Sequence, residues 1–122
     1  MRPSTSQTGR MAEEVACLFL ESHGMVVVGC RQRTPVGELD IVGREGRETV
    51  FVEVKARSGS RMGSGEESLD RYRAHRMRAA GSYWLANVAF GGSVACRFDL
   101  VVIELDADSL PRNLVRHRAI IE

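Results

Sequence analysis

The chain has 122 residues, which suits one domain around one core. It is 43% hydrophobic and 27% charged, with a formal net charge of +1, the balance of an ordinary soluble globular protein. No apolar run approaches the ~20 residues of a membrane helix, and near-neutrality does not by itself indicate a nucleic-acid coat.

Met1 to Arg10 is polar and has no hydrophobic segment, so no signal peptide is expected; residues 1–9 read as a flexible tail and 10–122 as a single domain. Thr8-Gly9 can cap a first helix from about Arg10 to Ser22, ended by Gly24. Ala12, Val15, Ala16, Phe19 and Leu20 recur at a period of about 3.6 and make its apolar face. On that wheel Glu14 points to solvent, whereas Glu13 lies on the flank of the apolar face. Glu13 can reach a site beside the core, or simply favour the positive end of the helix macrodipole.

Met25 to about Arg33 reads as the first strand, and Thr34-Pro35-Val36-Gly37 breaks it. The second strand covers Glu38 to Val42 or a little beyond, Gly43 to Glu48 is the turn, and the third strand is Thr49 to Arg57. Ser58 to Gly65, rich in Gly and Ser, reads as a mobile loop. A long helix follows, from Ser68 or Asp70 to Asn87, with Asp70 as N-cap and Ala74, Met77, Gly81, Trp84, Leu85 and Val88 as its apolar stripe. Arg71, Arg73, Arg76 and Arg78 surround the stripe, with Arg73 nearest to it. Phe90-Gly91-Gly92-Ser93 is a turn. Arg97 to Asp106 is a fourth strand, apolar on both faces and therefore central. After the Asp108–Pro111 loop, Leu114 to Ile121 forms a short strand or helix. The order predicts a small sheet with helices packed on it.

Three cysteines, Cys17, Cys30 and Cys96, sit in apolar contexts with no Cys-x-x-Cys spacing. They read as small core residues in a reducing cytoplasm. The three histidines, His23, His75 and His117, form no ligand pattern.

The hairpin from Gly37 to Arg57 places ionisable groups inside otherwise hydrophobic segments, where a charge must be paired, hydrogen-bonded or bound to a metal. Strand alternation puts Glu38, Asp40 and Val42 on one face of one strand and Phe51, Glu53 and Lys55 on one face of the next. Leu39, Ile41, Val50, Val52 and Val54 are left on an all-apolar face toward the main core. Asp40 is expected opposite or nearly opposite Glu53, with Glu38 beside Glu53 or Lys55. The plain alternative is an exposed face of cross-strand ion pairs. Val42 and Phe51 flank the charges, however, and carboxylates held close together are relieved by a divalent cation. Hard oxygen donors suit Mg²⁺ or Mn²⁺. Of 17 basic residues 16 are arginine, and the single lysine is Lys55. A compact ammonium beside a metal-bound water suits phosphate-ester hydrolysis.

Asp40 followed by Glu53-Val54-Lys55 resembles the D…(D/E)-x-K signature of the restriction-endonuclease-like, PD-(D/E)xK, superfamily. That resemblance implies an α/β fold with a mixed central β-sheet flanked by helices. It assigns metal binding to Asp40 and Glu53 and the attacking water to Lys55. A preceding helix that carries a carboxylate is similar to the archaeal Holliday-junction resolvases, where Glu13 would join the metal site. From Gly9 to Ile121 the chain resembles the YraN-type family of small bacterial proteins. The resemblance is carried by Ala12-Glu13-Glu14-Val15-Ala16, Arg33 with Gly37-Glu38-Leu39-Asp40-Ile41-Val42, Val50 to Arg57, and Arg97-Phe98-Asp99-Leu100-Val101. Ala12 stands where that family usually has Gly, and Arg73 where Lys is usual.

Together these readings lead to a metal-dependent nuclease acting on DNA, branched or structured DNA included. Asp40, Glu53, Lys55 and Glu13 would be catalytic, with Glu38 a further metal ligand. Arg33, Arg57, Arg73 and Arg76 would contact phosphates. The alternative is a non-cleaving module on the same scaffold that binds nucleic acid or assists DNA processing. Related resolvases are dimers, which leaves a homodimer open; no membrane partner is expected.

Overall fold

The structure is a computed structural model and describes residues 4–58, 69–87 and 95–121. Its elements are α1 (Thr5–Ser22), β1 (Val26–Thr34), β2 (Gly37–Glu45), β3 (Glu48–Ser58), α2 (Arg71–Asn87), β4 (Cys96–Leu105) and β5 (Pro111–His117). The five strands form one sheet in the order β1-β2-β3-β4-β5. All neighbours are antiparallel except β3 and β4, which run parallel because α2 lies in the crossover between them. The result is a mixed α/β domain with one helix on each face of the sheet.

On one face Ala12, Ala16 and Leu20 of α1 pack on Ile41, Val50, Val52, Val101, Ile103 and Leu105. On the other, Met77, Ala80 and Trp84 of α2 pack on Leu39, Val42 and Phe51, with Phe98 alongside. Each large side chain so buried contributes roughly 1.5–3 kcal/mol. An alanine Cβ at Gly81 would stand 3.0 Å from Phe98 Cε1 and 3.1 Å from Phe51 Cε2, so the lack of a side chain there lets α2 lie close on the sheet.

Several boundaries differ from those expected. Helix α1 begins at Thr5, five residues before Arg10, so residues 5–9 of the expected tail are helical. Ser4 is the N-cap: its hydroxyl accepts the Gln7 N–H, and the Gln7 side chain accepts the Ser4 N–H, a reciprocal capping box. Thr5 to Arg10 carries no apolar period, so the pattern alone did not reveal it. The β2–β3 turn is not Gly43 to Glu48 but two residues, Gly46-Arg47, closed by the Glu45–Glu48 pair. Gly46 at φ +62° supplies the left-handed backbone of a tight hairpin. The expected break at Thr34–Gly37 is likewise a hairpin turn at Pro35-Val36, with Thr34 Oγ1 donating to the Gly37 carbonyl at 2.6 Å.

Asp70 caps α2 as expected, its Oδ1 accepting the Arg73 N–H at 2.8 Å. The final segment is a strand from Pro111 to His117, earlier than the expected Leu114 to Ile121. The expected glycine-rich loop beyond Ser58, a helix start at Ser68, Val88 in the stripe and the Phe90–Ser93 turn lie outside the described residues. Leu39 does not share the face of Ile41. It packs under α2, because the regular β2–β3 pairing stops at Ile41–Val52 and the pleat is not maintained beyond it. The cysteines are not core residues: Cys30 on the edge strand β1 and Cys96 at the start of β4 are exposed, and Cys17 is half-buried. Among the described residues, no helix is long and apolar enough to cross a membrane.

Candidate functional site

The backbone pairing of β2 with β3 ends at Ile41–Val52, and there the two strands fork. Asp40 stands at the fork. Its Oδ2 accepts the Val54 N–H at 2.9 Å, so a side chain takes the place of a sheet carbonyl. Glu53 follows Phe51 by two residues and therefore shares the α2 face of the sheet with it. Just beyond the last paired rung, the Asp40 and Glu53 side chains still come into contact with each other. Burial first, then the negative charge of Glu53, push the Asp40 carboxyl from its ordinary 3.8 to about 8; the Val54 N–H pulls the other way. A carboxyl in that state stays largely protonated at neutral pH unless a cation arrives.

The remaining predicted residues surround this pair unequally. Arg73 Nη2 on α2 donates to Glu53 Oε1 at 2.7 Å, and Glu53 is only 14% exposed. The Glu53 charge raises the Arg73 pKa. A cleft of about 250 Å³ joins Gly37, Glu38, Asp40 and Glu53 to Tyr72, Arg73, Arg76 and Met77 of α2. Glu38 thus lines the same cleft, but it is more exposed and lies 3.6 Å from Arg33 Nε. Lys55, half-buried, is on the same strand two residues beyond Glu53. Arg57, two residues further on, is exposed, as is Arg33.

Glu13 comes from α1, on the far side of the sheet. Its Oε1 accepts from Arg31 Nε at 2.6 Å, and its charge still acts on Asp40. Glu14 is exposed, as its place on the helical wheel required. A second groove of about 370 Å³ runs from Ser6, Gly9 and Arg10 past Glu13 and Arg31 to Arg33 and Glu38. Glu38 therefore stands between the two openings. The structure brings Asp40, Glu53, Arg73, Arg76 and Glu38 to one cleft, and holds Glu13 on an arginine beside it.

Two contributors were not anticipated. Tyr72 lines the cleft and accepts from Arg76 Nη1 at 3.2 Å. Arg31 takes Glu13. Its φ of +52° breaks the strand alternation, which is why periodicity did not aim it at α1.

Elsewhere a larger ionic cluster was missed. Asp99 is completely buried in β4 and accepts from Arg97 Nε and Nη2, from Arg116 Nε and Nη2, and from the Ala119 N–H. Arg97 and Arg116 also bind Glu45 at 2.7 and 3.1 Å, and Arg97 binds Glu48 at 3.0 Å. Burial alone would raise the Asp99 carboxyl, but the hydrogen bonds from Arg97, Ala119 and Arg116 outweigh it and hold it below the ordinary value. Arg116 holds Glu45 down at about 2. The signal was available: Asp99 is a carboxylate that opens into the apolar run Leu100-Val101-Val102-Ile103 of the central strand.

Among the described residues, no three of His, Cys, Asp and Glu converge as a ready-made metal cage. The two carboxylates at the fork are hard oxygen donors, and one of them, Glu53, is paired with Arg73. A magnesium ion needs no more than one or two protein carboxylates, with water or phosphate oxygens completing its shell. The fork fits such an ion.

The profile of the Uncharacterised protein family UPF0102 matches residues 12–103. A UPF0102 protein of Rhizobium etli is 39% identical over 109 residues, 89% of this chain and 83% of the relative. One from Pseudomonas aeruginosa is 36% identical over 112 residues, 91% and 90% of the two chains. One from Moorella thermoacetica is 35% identical over 106 residues, 87% and 88%.

Proposed function

The chain belongs to the uncharacterised protein family UPF0102, the YraN-type proteins, and from that premise we propose that it is a metal-dependent nuclease with a restriction-endonuclease-like core, hydrolysing phosphodiester bonds in DNA. The observation that carries this reading is the pairing of Asp40 with Glu53 at the strand fork, which pushes the Asp40 carboxyl up to about 8. Two close carboxylates in a partly buried cleft cost free energy that a divalent cation removes.

Asp40 and Glu53 would hold Mg²⁺ or Mn²⁺, with Arg73 giving up its bond to Glu53 or sharing it. When bound, the ion supplies an activated water and neutralises phosphoryl oxygens. Lys55 adds an ammonium on the same face of β3, where negative charge develops on the phosphate. Glu38, at the rim, and Glu13, once released from Arg31, can extend the acidic shell. Arg73 and Arg76 line the cleft and are placed to orient phosphate oxygens; Arg33 and Arg57 lie further out along the strands. Binding through these guanidinium groups would weaken steeply with salt.

One observation favours a second reading. Arg73 on Glu53 at 2.7 Å and Arg31 on Glu13 at 2.6 Å already neutralise two of the carboxylates. A module that binds nucleic acid without cutting it would carry such pairs.

The two readings part in a cleavage assay on branched, single-stranded and duplex DNA with Mg²⁺ or Mn²⁺. The nuclease reading expects metal-dependent cleavage that disappears in both Asp40→Ala and Lys55→Ala. Equal residual activity in parent and variants would mark a contaminant and end that reading. Binding without cleavage, weakened by Arg76→Ala, would establish the second.

A further inference from the structure

Away from the fork, Cys17 of α1 and Cys30 of β1 lie with their sulfurs 3.3 Å apart. They are 13 residues apart in sequence and belong to different elements. The left-handed backbone at Arg31 disrupts alternation locally, so that both Cys30 and Arg31 meet α1, one at Cys17 and the other at Glu13. A disulfide needs sulfurs at about 2.05 Å. The two sulfurs therefore stand ~1.2 Å beyond bonding distance. Cys30 is exposed, and both sulfurs border an open groove of about 760 Å³ that a small thiol reagent can enter.

We infer that Cys17 and Cys30 are a reversible dithiol–disulfide pair that fastens α1 to the edge strand β1 when it meets a low-molecular-weight disulfide. Burial, and then the neighbouring Cys30 sulfur, push the Cys17 thiol up to about 12, so the exposed Cys30 is the sulfur that reacts first. Cys30 loses its proton to solvent and attacks one sulfur of the small disulfide. A Cys30–sulfur bond forms, the original sulfur–sulfur bond breaks, and one small thiolate leaves. Cys17 then attacks the Cys30 sulfur. The Cys17–Cys30 bond forms, the second small thiolate leaves, and it takes up the proton that Cys17 gives. Two protein thiols are oxidised and one small disulfide is reduced to two thiols, with the electrons balanced. The bond sits one helical turn from Glu13 and one residue from Arg31, so it fixes the same two elements that their ion pair joins.

The test uses the full chain, first reduced and then equilibrated with mixtures of reduced and oxidised glutathione. Remaining thiols are alkylated and the protein is digested with trypsin. Arg10 and Arg31 bound one fragment, Met11–Arg31, that contains both cysteines. Oxidation should leave this fragment about 2 Da lighter with neither cysteine alkylated, while Cys96 alkylates normally and excess dithiothreitol restores both thiols. Two of three thiols are therefore lost together. Cys17→Ser should stop the reaction at a Cys30–glutathione adduct, and Cys30→Ser should leave Cys17 alkylated. Full alkylation of both cysteines in every mixture would overturn the inference. So would a persistent Cys30–glutathione adduct in the parent, or a disulfide between two chains. This outcome is independent of whether the fork binds metal or cuts DNA.

Discussion

The two ends of the β2–β3 hairpin use the same residue types to opposite ends. At the Gly46 end, Asp99, Glu45 and Glu48 meet Arg97 and Arg116, and the buried Asp99 accepts from both guanidinium groups and a main-chain N–H. At the other end Asp40 meets a main-chain N–H and a second carboxylate. The first cluster holds Glu45 and Asp99 below their ordinary pKa, while the second holds Asp40 far above it. Complementarity, rather than the number of charges, separates them. A closed ionic knot ties β2, β3, β4 and β5 together, whereas at the fork Arg73 pairs with Glu53 while the Asp40 carboxyl keeps its proton, and on the proposed reading that is where a cation binds.

The contrast is broken most severely at the knot. Asp99→Ala removes the acceptor for two guanidinium groups that are themselves 14% and 8% exposed, and leaves them buried without it. Breaking a buried ion pair from one side costs roughly 3–5 kcal/mol. Urea denaturation at pH 7 should show a loss of that size; a loss under about 1 kcal/mol would mean that the knot contributes little. The variant's folded fraction should keep whatever DNA and metal binding the parent has, because the knot lies at the opposite end of the hairpin.

A smaller effect, opposite in sign, is expected at the fork. Asp40 binds its proton more tightly folded than unfolded. Between about pH 4 and pH 8 the unfolded chain releases that proton and the native state keeps it, so this group's contribution to stability falls as pH rises. For Glu45 and Asp99 the folded pKa is depressed. Their contribution is present above the ordinary carboxylate range and is lost as pH falls through it. Asp40→Asn keeps an acceptor for the Val54 N–H and cannot ionise. It should match the parent near pH 4 and exceed it by a margin that widens up to about pH 8, in metal-free chelated buffer. Parallel curves for the two proteins would refute the frustrated state of the fork.

Sequence periodicity reached most of the sheet because strand alternation is a strict constraint: Val50 and Val52 facing one helix and Phe51 and Glu53 the other follow from it. It placed Glu53 for the same reason, whereas Asp40 meets Glu53 just beyond the last paired rung. It failed where the backbone leaves the ideal. The positive φ at Arg31 redirected that side chain to Glu13, and the fork after Ile41 moved Leu39 to the α2 face. It also failed where charges satisfy one another across long separations. Arg44, Glu45 and Glu48 looked like turn residues because their segment is polar, yet they belong to strands, and Glu45 and Glu48 are tied to Arg97, 52 and 49 residues away in sequence. The α1 start was hidden for a local reason: a capping box at Ser4 and Gln7 needs no apolar pattern to work.

The finest test of the contrast is Arg73→Ala, because Arg73 is the residue that most nearly makes the fork resemble the knot. Its guanidinium donates to Glu53 from α2 and is itself half-exposed, so solvent screens the pair and its loss should cost less than about 1 kcal/mol. The consequence for a cation should be larger than the consequence for stability. With Arg73 gone, Glu53 has no guanidinium to surrender, and Asp40 faces an even less compensated neighbour. If Asp40 and Glu53 hold metal, Mn²⁺ should bind the variant several-fold more tightly than the parent, by roughly 1 kcal/mol. In both proteins affinity should climb with pH toward about 8 as the ion displaces the Asp40 proton. Isothermal titration in two buffers of different ionisation enthalpy reads both the affinity and the released proton. Unchanged or weaker Mn²⁺ binding in Arg73→Ala would place Arg73 as a structural partner that finishes the site, and the fork would then be an ion-pair network like the knot.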